Sequence, residues 1–156
     1  MHGVFQRDGD DGELDDNQYS AGDKVSMTIE DQVIGALTAW RENRGGGVPG
    51  MQSVFNVLMN RAAKRTTSVY EEATRHLQFS SMTYLGPEAI LFPTVIDPQW
   101  AEALTLAYQA SVGQLDDITG GATSYYAPAG MPEGKAPSWA ATMTQTVVIA
   151  GQIFFR

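Results

Sequence analysis

The clearest pattern of apolar and polar positions begins just after the first 25 residues. Apolar residues recur there at the spacing of one helix face: Ile29, Val33, Ile34, Leu37 and Trp40. Thr28 can cap this helix, with Ser26 as the alternative cap, and Thr28-x-x-Asp31 resembles a capping box. Because residues 45–47 are all glycine, we predict that the helix ends near Glu42.

Two more long helices are predicted further along the chain. The second can begin at Pro49, and its apolar face contains Met51, Val54, Phe55, Leu58 and Ala62. Asn60 falls near its end, where we expect a buried amide bonded to backbone near a glycine loop. Asp97-Pro98 begins the third helix and Gly113 ends it. Its predicted apolar face contains Trp100, Ala103, Leu104, Ala107 and Tyr108.

The segment between these two helices is predicted to be mostly irregular. Ser68-x-x-Glu71 is a good capping box and predicts a short helix that continues to Leu77, next to His76. Residues 78–84 are short and polar, so we predict a loop or an extended stretch. Residues 85–96 contain two prolines and are predicted to hold one helical turn at most.

The pattern changes to short extended stretches in the last third of the chain. Residues 119–126 predict a tight turn that continues into an extended segment, and the Pro- and Gly-rich residues 127–138 predict a loop. Residues 146–155 contain two apolar runs around Gly151, which predicts a β-hairpin or two short strands. The fold class is therefore α+β, mainly α-helical, with a small C-terminal β element.

Charge separates the first 25 residues from the rest. The net charge of the chain is −8, and residues 1–25 hold seven acidic and two basic residues. This segment has almost no apolar periodicity, so we predict that it is disordered and that the folded domain spans residues 26–156. A calcium loop at residues 8–16 is the less favoured alternative, because it lacks a glutamate at loop position 12 and flanking helices.

Composition removes several classes of function. The chain has no cysteine and two histidines, so we expect no disulfide, no metal site and no cofactor. The glycine-rich stretch lacks the lysine of a phosphate loop, and no Gly-x-Ser-x-Gly elbow supports a serine triad. No basic stripe favours nucleic acid, and no apolar run favours stable membrane insertion or a signal peptide. A monomer is favoured.

The remaining chemistry is that of a carboxylate with aromatic neighbours. Glu42 lies at the end of a helix beside a glycine run, where an acid catalyst of glycoside cleavage could act, although most such glutamates are merely solvated. Aromatic residues that could provide platforms for sugar rings are Trp40, Phe79, Tyr84, Tyr125, Tyr126 and Trp139. We expect Trp40 to be packed in the core. Tyr125, Tyr126 and Trp139 lie in loop-rich segments, where binding roles are more common.

These pieces, taken in order, resemble a known family. The motifs are Trp40-x-Glu42-x-Arg44-Gly45, Val57-Leu58-Met59-Asn60-Arg61, Gln78-Phe79-Ser80, Thr119-Gly120-Gly121-Ala122, Tyr125-Tyr126-x-Pro128 and Trp139. The chain is similar, over about residues 28–156, to the cell-wall hydrolases of the spore cortex-lytic type, which also occur as bacteriophage and proteobacterial lysins. Each motif is weak alone, but six in the same order are fairly specific.

The resemblance implies a lysozyme-like fold and cleavage of the β-1,4 bond that follows N-acetylmuramic acid in peptidoglycan. It implies lytic transglycosylation, which leaves a 1,6-anhydro end, with Glu42 as the catalytic residue. Gln78, Phe79, Ser80 and Tyr126 match positions of the glycan groove, and the loop positions of Tyr125 and Trp139 add them to the binding set. The chain departs from the family at Gly46, where a second acid is common, and at Ala127, where asparagine is common.

A single carboxylate suits a transglycosylase, because the same group can act first as acid and then as base. The acid must carry a proton, so we predict that Arg41 and Arg44 point away from Glu42, towards solvent or acidic partners. A hydrolase with a second acid remains an alternative, and its candidates are Asp116, Asp117 and Glu133. A non-catalytic glycan-binding or virion module is the other alternative. Whether the chain acts as a phage lysin, in a virion or as part of an envelope protein stays open.

Overall fold

The computed structural model describes residues 26–83 and 87–156. The helices and strands in these residues are α1 (Ile29–Asn43), α2 (Gly47–Arg65), α3 (Val69–Thr74), α4 (Ser80–Thr83), α5 (Pro98–Ser111), β1 (Ser124–Tyr126), β2 (Gln145–Ile149) and β3 (Gln152–Phe155). Short 3-10 turns lie at Arg44–Gly46, Pro87–Ile90, Pro128–Gly130, Pro132–Gly134 and Ser138–Thr142. The predictions for the acidic segment 1–25, including the calcium alternative, and for Tyr84 fall outside the described residues.

Helix α1 is the central helix of the helical core. Its predicted capping box is confirmed, since Thr28 Oγ1 accepts from Asp31 N at 3.1 Å and Asp31 Oδ2 accepts from Thr28 N at 2.9 Å. Gly35 lies where α1 meets α2, and a Cβ there would approach the Phe55 ring to 2.7 Å. Glycine therefore permits the close contact of these two helices, which fixes where the C-terminal end of α1 lies.

Helix α2 is longer than predicted. It begins at Gly47, two residues before Pro49, and continues to Arg65, where Thr66 ends it in a left-handed conformation. Asn60 donates to the Ala122 carbonyl at 3.0 Å, beside Gly121, so the predicted amide-to-backbone bond is confirmed. Even this 19-residue helix is not apolar and long enough to cross a membrane, and neither is any other helix in the described residues.

The segment that follows α2 differs from its prediction in two places. Helix α3 keeps its predicted capping box but ends at Thr74 instead of Leu77, because the backbone of Arg75 is extended. Residues 80–83 form a helical turn instead of a loop or strand. The Phe79 carbonyl accepts from the backbone N–H groups of Met82 and Thr83, each at 3.0 Å, and this closes a turn too short to show periodicity.

Helix α5 has its predicted bounds but presents a different face to the core. Its buried residues are Ala103, Leu106, Ala107 and Ala110. Leu104 and Tyr108, which were assigned to the apolar face, are 38% and 61% exposed. The alanines form a stripe of small side chains that lets α5 pack closely against α1. This close contact, and not the burial of the larger side chains, determines which face of α5 is turned to the core.

A buried carboxylate joins α3 to the end of α2. Glu72 is fully buried and accepts hydrogen bonds from Arg65, Arg75 and Thr67. Burial raises the pKa of Glu72, but the hydrogen bonds from Arg75, Thr67 and Arg65 outweigh it, so the pKa is lowered. The ionised form of Glu72 is therefore part of the folded structure.

The three strands form one antiparallel sheet in the order β1-β3-β2. The predicted hairpin of β2 and β3 is confirmed, and its turn is Ala150-Gly151, both with positive φ. The pairing of β1 with β3 places Tyr125 opposite Phe154. Phe154 is fully buried against Val57 of α2, which fixes the sheet on the helical core.

Candidate active site

Glu42 lies in the last turn of α1, and hydroxyl groups from two other elements hold it. Ser81 Oγ donates to Glu42 Oε1, and the Tyr125 hydroxyl donates to Glu42 Oε2 at 3.1 Å. The carboxyl is half-buried, and each of its oxygens has one fixed partner. This arrangement fixes the orientation of a single carboxyl at the surface of the domain.

The two hydroxyl donors come from segments that are anchored in the core. Phe79 is 2% exposed and fixes the start of α4, so Ser81 is placed beneath Glu42 and is itself buried. Tyr125 belongs to β1, and its ring lies 5.4 Å from the ring of Phe154. Burial, followed by the charge of Glu42 and the bond to it, raises the pKa of Tyr125 well above its usual value. Tyr125 therefore remains a hydrogen-bond donor at neutral pH.

Arg61 is a buried cation next to this group. Its Nε donates to the Thr123 carbonyl at 2.6 Å, and its guanidinium lies 5.0 Å from the centre of the Phe79 ring. Burial lowers the pKa of Arg61 and outweighs the opposite effect of the nearby carboxylates of Glu72 and Glu42. Arginine stays charged in proteins, so a fixed positive charge lies near the carboxyl.

The arginines on either side of Glu42 do not pair with it in the part of the chain that the structure describes. Arg44 Nη1 bonds Glu88 Oε2 at 2.9 Å, as predicted for an acidic partner. Arg41 also points away from Glu42, but it is buried and donates to the carbonyls of Ser81 at 2.8 Å and Leu91 at 3.0 Å. The prediction that Arg41 points to solvent or to an acidic partner is wrong, because backbone carbonyls accept the hydrogen bonds of its guanidinium instead.

The residues predicted to bind substrate fall into separate groups. Gln78 and Ser80 are exposed at the start of α4, whereas Phe79 is buried and has no open ring face. Of the predicted set, only Tyr125 touches Glu42. The predicted role of Phe79 as a sugar platform is corrected to that of an anchor in the core.

Tyr126 and Trp139 form an aromatic cluster with Phe155. The ring centres of Tyr126 and Phe155 are 5.8 Å apart and nearly parallel, and Trp139 meets both rings edge-on at 6.0 and 5.5 Å. Neighbouring strand residues point to opposite faces, so this cluster lies on the sheet face opposite Tyr125. Both predicted residues are half-buried and contact each other.

Trp40 is packed, as predicted. It is 6% exposed, its indole N–H donates to Asp97 Oδ2 at 2.9 Å, and the Arg44 guanidinium lies over its ring at 4.3 Å. It therefore ties the last turn of α1 to the start of α5 and presents no free face for a sugar.

Position 46, where the family often has a second acid, is crowded by its surroundings. Asn43 Nδ2 donates to Gln152 Oε1 at 2.9 Å and links the end of α1 to β3. A Cβ at Gly46 would lie 2.7 Å from Asn43 Oδ1 and 2.7 Å from the Cβ of Ala150. Asn43 and the hairpin turn at Ala150 therefore leave room for glycine alone at position 46.

Two residues of the site were not predicted from the sequence. Ser81 directly follows Ser80, which is predicted to bind substrate. Arg61 directly follows Asn60 in one of the motifs that carry the family resemblance. Their roles depend on the helical turn that follows Phe79 and on the length of α2. The spacing of apolar residues predicts neither of these features. Among the described residues, no cluster of three or more histidine or acidic side chains could hold a metal ion.

A cavity of about 660 Å³ lies away from this group, at the other end of α1. Its lining includes Met27, Asp31, Met59, Val69 and Ala110, and no residue that contacts Glu42. Ten or more residues of helix separate Asp31 from Glu42, which corresponds to about 15 Å. The chemistry of the site therefore does not depend on this cavity.

Comparison with known proteins gives a family and a fold. The model of a family described as Cell Wall Hydrolase matches residues 45–155. The match begins after Glu42, so it does not include that residue. The catalytic domain of the germination-specific lytic transglycosylase SleB from Bacillus anthracis has a similar structure, with a TM-score of 0.64 and 20% identity, over 85% of this chain and 98% of that chain. The fold is lysozyme-like, as predicted. A search of curated proteins found no match.

Proposed function

The chain belongs to the cell wall hydrolase family and is thus a peptidoglycan-degrading enzyme, and we propose that it is a lytic transglycosylase with Glu42 as its one acid and base. The bond cleaved is the β-1,4 bond between N-acetylmuramic acid and N-acetylglucosamine. The observation that carries this proposal is the pair of hydroxyl donors on Glu42, one on each oxygen. Two hydroxyl donors fix the orientation of a carboxyl group, and they do so without an ion pair to a lysine or arginine.

In the first step, protonated Glu42 donates its proton to the glycosidic oxygen as the bond from that oxygen to the anomeric carbon breaks. In the second step, the carboxylate takes the proton of the muramic acid 6-hydroxyl, whose oxygen forms a new bond to the anomeric carbon. Glu42 is protonated again at the end, and no water is consumed. One carboxyl therefore completes the cycle, with a 1,6-anhydro product.

Two of the three acids named for a hydrolase are engaged elsewhere, and the third, Asp116, is exposed on the loop that follows α5. Asp117 accepts from the backbone N–H groups of Thr119 and Gly121 and from Asn60, and so closes the turn before β1. Glu133 is exposed and pairs with Lys135. These contacts favour the one-carboxylate mechanism over a second acid from either residue.

Tyr126 and Trp139 are proposed to contact the glycan strand through the exposed parts of their rings. Both are held by Phe155, so their orientation costs little conformational entropy on binding. Gln78 and Ser80 are exposed on the segment that carries Ser81, and we propose that they contact the glycan next to Glu42, while Tyr126 and Trp139 contact it on the other side of β1 from Tyr125.

The test is mass spectrometry of the soluble products from purified peptidoglycan sacculi. Glu42→Gln should abolish release without lowering the melting temperature, whereas Glu133→Gln, the matched carboxyl-to-amide control, should release products at the wild-type rate. Anhydro-muropeptides support the proposal. Reducing muropeptides, or loss of activity in Glu133→Gln, would favour a hydrolase, and binding to sacculi without any product would favour a non-catalytic module.

A further inference from the structure

Arg61 contacts both of the segments that supply hydroxyl donors to Glu42. Its Nε bonds the Thr123 carbonyl at 2.6 Å, two residues before Tyr125. Its guanidinium stacks on Phe79 at 5.0 Å, two residues before Ser81. We propose that Arg61 is a positioning residue that holds both donors on Glu42 at once. This inference rests on the proposed function of Glu42.

The burial of Arg61 is costly for the fold. The residue is 9% exposed, and no acceptor among the described residues bonds its buried Nη1. A buried donor without a partner loses its hydration and gains no bond in return. An apolar side chain of similar length would fill the same space without that loss. Packing alone therefore does not account for a guanidinium at this position.

The other cations beside Glu42 are held by different partners. Arg44 pairs with Glu88, and Arg41 is fixed on the carbonyls of Ser81 and Leu91. Arg41 therefore holds the segment of only one donor, Ser81, whereas Arg61 contacts the segments of both donors.

The experiment compares Arg61→Met and Arg61→Lys with Arg65→Met as the matched control. Arg65 lies on the same helix and bonds Glu72, so Arg65→Met should lower the melting temperature but keep the kcat and the apparent KM. Initial rates of muropeptide release are measured at several concentrations of sacculi, together with thermal melts.

Arg61→Met should lower kcat on the order of 10- to 100-fold at a similar apparent KM. Arg61→Lys should restore only part of kcat, since lysine lacks the planar fork that bonds Thr123 and stacks on Phe79. A wild-type kcat in Arg61→Met would overturn the inference. If Arg61→Met does not fold, wild-type kcat in Arg61→Lys would overturn it. Absence of products from the wild type would instead refute the proposed function.

Discussion

The crowding around Gly46 predicts that the second acid common in the family cannot be restored here by a single substitution. Gly46→Ala adds a Cβ at 2.7 Å from the Ala150 Cβ and 2.7 Å from Asn43 Oδ1. The contact with Ala150 is overpacking, which costs about 1–3 kcal/mol. The Asn43 side chain can move, but it then loses its bond to Gln152, at about 1 kcal/mol. We expect Gly46→Ala to destabilise the fold by about 2–4 kcal/mol, and Gly46→Glu by at least as much.

A double-mutant cycle separates the two contributions. Ala150 has φ +47°, so Ala150→Gly should be neutral or stabilising by itself. The pair Gly46→Ala with Ala150→Gly should recover the overpacking cost of about 1–3 kcal/mol, but not the lost Asn43 bond. The control is Gly45→Ala in the same turn, because a Cβ there meets nothing within 4 Å.

The assay is equilibrium unfolding in urea and thermal melting of five proteins: the wild type, the two single variants of the cycle, the double variant and Gly45→Ala. Each kcal/mol should lower the melting temperature by about 2–4 °C for a domain of this size. Equal stability of Gly46→Ala and Gly45→Ala would refute the reasoning, and so would additive effects of Gly46→Ala and Ala150→Gly.

Further predictions concern the hydroxyl donors, the aromatic cluster and the buried carboxylate. Tyr125→Phe and Ser81→Ala should each lower kcat for muropeptide release on the order of 10- to 100-fold with Glu42 still present, because the carboxyl loses its orientation; wild-type kcat in both would contradict this. Trp139→Ala should raise the apparent KM on sacculi and weaken pulldown, with kcat nearly unchanged. Unchanged binding would contradict the proposed contact of Trp139 with the glycan. Glu72→Gln should cost about 2–3 kcal/mol at neutral pH. Since the folded pKa of Glu72 is lowered, its stabilisation is present above the unfolded pKa and is lost as pH falls through the folded one, so melting from pH 7 to 3 should depend less on pH in Glu72→Gln than in the wild type.

The sequence predicted those parts of the fold that depend on local signals. The capping boxes at Thr28 and Ser68, the proline start of α5 and the Ala150-Gly151 turn are formed by neighbouring residues, and all four lie where expected or within the predicted element. The rotation of α5 could not be predicted in this way, because it depends on which side chains of α1 it meets. The pairing of β1 with β3 depends on a contact across about thirty residues of loop and turn, which periodicity does not encode.

The candidate site shows the same division between local and distant contacts. The position of Glu42 at the helix end follows from the apolar pattern and the glycines that stop it. Arg41 and Arg44 are the cations that the sequence suggests for Glu42, because they are its neighbours in the chain. Arg61, nineteen positions later, contacts the segments of both hydroxyl donors, and only the packing of α2 against α1 brings it there.

The two hydroxyl partners of Glu42 suit a group that must act both as acid and as base. A hydroxyl donates to a carboxylate, and its oxygen can accept from a protonated carboxyl after a rotation of the O–H bond. Lysine or arginine in direct contact could only donate, and it would favour the ionised form at every stage. Ser81 and Tyr125 therefore orient Glu42 in both protonation states, while Arg61 contacts the segments of both donors at Thr123 and Phe79. With its orientation kept in both states, one carboxyl can return to its starting state after each cleavage without a second acid at position 46.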